Sequence, residues 1–126
     1  MLYSKHSKRS PEEIDSRLRE AAQRHKFGVL NVLDLKQTLR EKGIEFGPQC
    51  RVYDVCNPQA AAQALGTDLS ASTVLPCRIA VFAQEDGSTI ATVKPTDLLA
   101  TTGIKGARPL AEQVEREIQA IIDETA

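Results

Sequence analysis

Asp86-Gly87, set between β-prone runs at residues 74–83 and 88–93, constrains the fold more than any other stretch of the chain. An Asp-Gly step between such runs is a strong hairpin signal, so the Glu85-Asp86-Gly87 stretch predicts an antiparallel strand pair. Pro76 lacks the N–H that a ladder requires and is expected at the start of its strand or on an edge. Residues 79–83 read Ile-Ala-Val-Phe-Ala, apolar at both parities, so this strand is expected to be covered on both faces.

The flanking sequence supplies helices to cover a sheet. Ser10-Pro11-Glu12-Glu13 is a capping box with proline at the first helical position. Ile14, Leu18, Ala21 and Ala22 then recur at helical spacing, with i,i+4 ion pairs on the opposite face, until Gly28. A strand is expected at 28–33. Asp34 with Gln37 three residues later then opens a second helix, closed by Gly43. Gly47-Pro48 breaks the chain, and residues 50–56 read as a strand. Asn57-Pro58 starts a short helix at 58–65, ending at Gly66. After a polar loop and the hairpin, residues 95–99 suggest a single helical turn. The last helix, 109–123, carries Leu110, Val114, Ile118, Ile121 and Ile122 on one face. With residues 2–8 as a first strand, the layout is α+β: about five short strands with helices, in one domain spanning 1–126. The second sheet face is also partly apolar, which suggests a homodimer.

Composition narrows the functional classes. The 126 residues are 41% hydrophobic and 26% charged with a formal net charge of −1, the profile of a soluble globular protein. The basic cluster KHSKR at residues 5–9 is short, so nucleic acid is not an expected partner. No apolar run approaches a membrane span and no secretory h-region follows the start, so the expected location is the cytoplasm. Three cysteines, an odd count beside a full core, argue for reduced thiols rather than a disulfide scaffold.

Cys56-Asn57-Pro58 after a strand and Leu75-Pro76-Cys77-Arg78 leading into the next, with Phe27-Gly28-Val29-Leu30 and Lys42-Gly43-Ile44, resemble the domain of unknown function 302 family, in a branch carrying both cysteine motifs. The resemblance runs from about Ser10 to Ile122. It implies a curved antiparallel sheet with helices on one face, similar to TATA-binding-protein-like folds and often dimeric. It implies no settled activity.

The candidate site is Cys56, Asn57, Pro58, Cys77, Arg78 and Asp54. If the strands at 50–56 and 74–83 are antiparallel neighbours, Cys56 and Cys77 lie close together. Cys50 lies six residues away, roughly 20 Å at about 3.3 Å per residue, and cannot join them. Cys56 precedes a helix start, where free N–H groups can make a thiol acidic. A buried cysteine that merely packs is the simpler reading. Three functions remain open: binding of a small ligand or protein partner, thiol redox or sulfur-carrier chemistry with Cys56 as nucleophile and Cys77 resolving, and soft-metal binding (zinc or copper) by Cys56 and Cys77. Asp54 could orient a thiol or pair with Arg51 or Arg78. His6 and His25 could complete a metal set only across a dimer or by proximity in the fold. The GxxG at 103–106 stands outside the context in which it clamps nucleic acid, and no hydrolase signature is present.

Overall fold

The capping box at Ser10 forms. In the computed structural model, which describes residues 1–126, Ser10 Oγ accepts from the Glu13 N–H at 3.3 Å and opens helix α1, Pro11–Arg24. Strand β1, Leu2–Ser7, precedes it and β2, Gly28–Asp34, follows. Asp34 caps α2, Leu35–Glu41, by accepting from the Gln37 N–H at 3.0 Å. Strand β3 is Cys50–Cys56 and helix α3 is Pro58–Thr67. Strand β4 is Cys77–Gln84 and β5 is Gly87–Val93. Helix α4, Pro95–Ala100, leads to α5, Arg108–Thr125.

Two differences from expectation concern the segment before β4. The strand expected from residue 74 starts at Cys77, because Val74 ends a 3-10 helix, Leu69–Val74, in what reads as a polar loop. Asp68 caps that helix through the Ser70 N–H at 2.8 Å. Pro76, which cannot donate to a ladder, lies just outside the strand. The hairpin turn itself is Glu85-Asp86, since Gln84 is opposite Gly87. Gly87 has φ +143°, and a side chain there would collide with the Ser7 carbonyl oxygen and come within 2.7 Å of Lys8 Cα. Only glycine fits where the end of β1 crosses the hairpin.

The five strands form one antiparallel sheet in the order β1-β5-β4-β3-β2. A register shift between Val29 and Asn31 bends the β2 edge. Pleating divides each strand between two faces. Tyr53 and Val55 of β3, Ile79 and Val81 of β4 and Ile90 of β5 point to the helical face. They pack with Ile14, Leu18, Ala21 and Ala22 of α1 and Ile118, Ile121 and Ile122 of α5, and all twelve are fully buried. Arg17 ties the helices together, its guanidinium donating to the Thr125 and Glu124 carbonyls at 2.9 and 3.1 Å, at the α5 C-terminus. Under this layer the Tyr53 hydroxyl donates to Asp15 Oδ1 at 2.6 Å. The opposite face carries Leu33, Val52, Ala80 and Ala91 in one cross-strand row, and Cys50, Phe82 and Thr89 in the next.

Candidate functional site

The apolar stripe of α5 serves two spaces. Ile118, Ile121 and Ile122 enter the core, whereas Leu110, Ala111 and Val114, nearer the helix start, line a cavity of about 320 Å³. The far wall is α3, whose Ala60, Ala61 and Ala64 are too short to reach across. Leu98 and Leu99 of α4, Ala71 and Val74 of the 3-10 helix, and Phe27 complete most of the apolar lining. Glu115 of α5 fixes the α4 wall by accepting from the Thr96 N–H at 3.0 Å and its hydroxyl at 2.7 Å. Of 23 lining residues, 17 are hydrophobic. A concave, mostly apolar space with few polar groups is how small-ligand sites are generally built.

The sheet delivers four of the sequence-predicted site residues to this cavity. Cys56 and Asn57 line it from the end of β3, and Cys77 and Arg78 from the start of β4. Asp54 is outside the lining but is the cross-strand neighbour of Arg78, its Oδ1 3.7 Å from Nε. Pro58 is also outside it and occupies the first position of α3.

Residues 3–125 match the family described as Domain of unknown function DUF302. The chain belongs to that family. Among solved structures it is similar to the crystal structure of an uncharacterized conserved DUF302 protein from Bacillus stearothermophilus, with 29% identity and a TM-score of 0.94 over 99% of this chain and 98% of the other. No curated protein matches it.

In this DUF302 chain two expectations about the thiols need correction. First, Cys56 and Cys77 do not form a pair. The β3–β4 register sets Cys77 opposite Val55 rather than Cys56, so the two side chains leave the sheet at opposite parity. Cys50, Cys56 and Cys77 are all free thiols. Second, Cys56 is not made acidic by the helix start. Asn57 Oδ1 already accepts from the Gln59 and Ala60 N–H groups at 3.1 Å each, which occupies the donors a thiolate would use. Burial instead pushes the Cys56 thiol above its ordinary value. Cys77 is raised to about 11, chiefly by burial and secondly by the negative charge Cys56 would carry. Both are protonated at neutral pH.

The other expected groups fall elsewhere. His6 pairs with Asp86 at 3.2 Å, and His25 with Glu124 at 2.5 Å beside Arg24, both away from the thiols. No group of three or more His, Cys, Asp or Glu side chains is placed to hold a metal ion. No helix is long and apolar enough to cross a membrane. The sequence reading missed the α3–α4–α5 lining of the site. Its signal was the run of alanines at 60, 61 and 64, where small side chains face the long apolar stripe of α5.

Proposed function

We propose that residues 1–126 act as one domain that binds a small, largely apolar ligand in the α3–α4–α5 cavity, as a homodimer in the cytoplasm. The cavity carries this reading: a space of about 320 Å³ with mostly apolar walls exposes hydrophobic surface that a ligand would cover. Cys56 and Cys77 contribute to its wall as small, neutral, polarizable groups. Thiol redox, sulfur-carrier and soft-metal readings have less support, because both thiols are raised in pKa, are not paired, and have no third ligand beside them. Thermal unfolding of the whole chain against a panel of small apolar compounds tests the reading. A binder should raise the midpoint progressively with concentration, by mass action. A panel without one, together with no uptake of a neutral apolar dye, would refute it.

The homodimer is supported by the sheet face away from α1 and α5. Leu33, 41% exposed, lies opposite the half-buried Val52, which is opposite the half-buried Ala80, and the half-buried Phe82 lies in the next row of the same face. The Asp54–Arg78 pair gives this face both signs of charge, so two copies related by a two-fold axis can meet with opposite charges facing. A light-scattering mass of one chain at micromolar concentration would remove the dimer.

A further inference from the structure

We propose that residues 57–76, which carry α3 and the 3-10 helix, form a lid that detaches from the cavity as one unit to admit and release the ligand, while the sheet, α1, α4 and α5 stay in place. The inference rests on the ligand-binding reading above and adds how access to that site is controlled.

The two ends of the lid lie side by side. Val55 near the end of β3 is opposite Cys77 at the start of β4, so the chain between the strands leaves the sheet and returns to it at one place. The segment can therefore move without shifting either strand. Its hydrogen bonds are its own. Asn57 Oδ1 accepts from the Gln59 and Ala60 N–H groups, and the Thr67 and Thr73 hydroxyls donate to the Gln63 and Ser70 carbonyls. Asp68, the one charged residue in the segment, accepts from the N–H and the hydroxyl of Ser70. At the helix ends, the Ala61, Asp68, Ala71 and Leu75 N–H groups donate to the Asn57, Ala64, Asp68 and Ser72 carbonyls. No hydrogen bond or ion pair fastens residues 58–76 to the rest of the molecule.

Apolar contact is what holds the lid down, and there is little of it. Helix α3 has no buried residue, and Ala71 is the only one in the whole segment, whereas α1 buries five residues and α5 four. The other helical walls are anchored. The isoleucines of α5 sit in the core and its C-terminal carbonyls accept from Arg17, while Glu115 of α5 accepts from Thr96 of α4. Local stability follows buried contacts and the bonds that tie a segment down, so the α3 wall opens first. A segment of that kind over a binding site is suited to gating it. Once detached, a helix of ten residues is too short to persist alone in water, so opening exposes the lid's amides.

Hydrogen–deuterium exchange of the whole chain, read by peptide mass spectrometry, tests the lid without a ligand. Residues 59–75 should exchange together, with protection at least about a hundredfold below that of β3 and β4, because they open without global unfolding. Ile14→Val, in the core and outside the cavity lining, should lower the protection of β3 and β4 about fivefold and leave that of residues 59–75 unchanged. Lid amides as slow as those of β3 and β4, or shifted equally by Ile14→Val, overturn the lid. The neutral apolar dye N-phenyl-1-naphthylamine should slow the lid amides progressively with concentration, by mass action. A dye that binds without slowing them overturns the gating role while the cavity reading stands. Failure of the dye to bind, with early exchange of residues 59–75 retained, overturns the ligand reading and not the detachable segment.

Discussion

Replacing Ala64 by leucine should stabilise the fold and weaken ligand binding together. Ala64 faces the cavity from α3, and leucine has a helix propensity close to that of alanine, so the effect comes from the space and not from the backbone. Leucine adds three carbons. At about 0.8 kcal/mol per fully buried methylene the ceiling is about 2.4 kcal/mol, and for a half-buried position about 1 kcal/mol is the expectation. In a domain of 126 residues this raises the melting midpoint by roughly 3–5 °C. Urea titration measures it, as a higher midpoint with an unchanged slope. The same substitution takes volume from the cavity and should lower affinity for any apolar ligand. If α3 already packed tightly against α5, the added carbons would force strain and destabilise by about 1–3 kcal/mol. A loss of that size would refute the cavity.

Three further outcomes follow from other parts of the molecule. Iodoacetamide should label Cys77 in the folded chain a few hundred times more slowly at pH 8 than in the denatured chain, because a pKa of about 11 leaves little thiolate; peptide mass spectrometry after timed quenching reads this, and rapid labelling of Cys77 would contradict its burial. Tyr53 is raised to about 12, first by burial and then by its hydrogen bond to Asp15, so it stabilises the fold fully below pH 10, and that contribution is lost as pH rises toward 12. Tyr53→Phe should therefore cost about 1–2 kcal/mol at pH 7 and flatten the alkaline fall in stability; Tyr3, also raised to about 12, sustains the remainder. Gly87→Ala should destabilise by several kcal/mol or prevent folding, since its Cβ would overlap the Ser7 carbonyl, whereas Gly66→Ala, with nothing within 4 Å, should be tolerated.

The element boundaries were legible wherever a local group makes its own bond. Ser10, Asp34 and Asn57 each cap a helix with a side chain a few residues from the N–H it accepts, and strand β3 lies at the residues expected. The 3-10 helix at Leu69–Val74 was missed because Leu69, Ala71 and Val74, spaced two and three apart among serines and a threonine, make no helical apolar period to mark it. The candidate site was half legible: Cys56, Asn57, Cys77 and Arg78 do share a cavity, yet Leu98, Leu99, Leu110 and Val114 make much of its wall. Those residues read as ordinary helix core, because sequence periodicity identifies an apolar face without identifying what lies across from it.

Local hydrogen bonding and side-chain periodicity therefore let the sequence by itself determine the α+β class, the hairpin, the helix starts and the family resemblance. Whether Cys56 and Cys77 form a pair was decided by strand register, where an offset of one residue moves a side chain to the other face of the sheet. The pKa direction of Cys56 was decided by tertiary burial and by Asn57 taking the helix N–H groups first. The cavity exists only because α3, α4 and α5 meet around three alanines, a packing relation between segments up to about fifty residues apart that no local pattern contains.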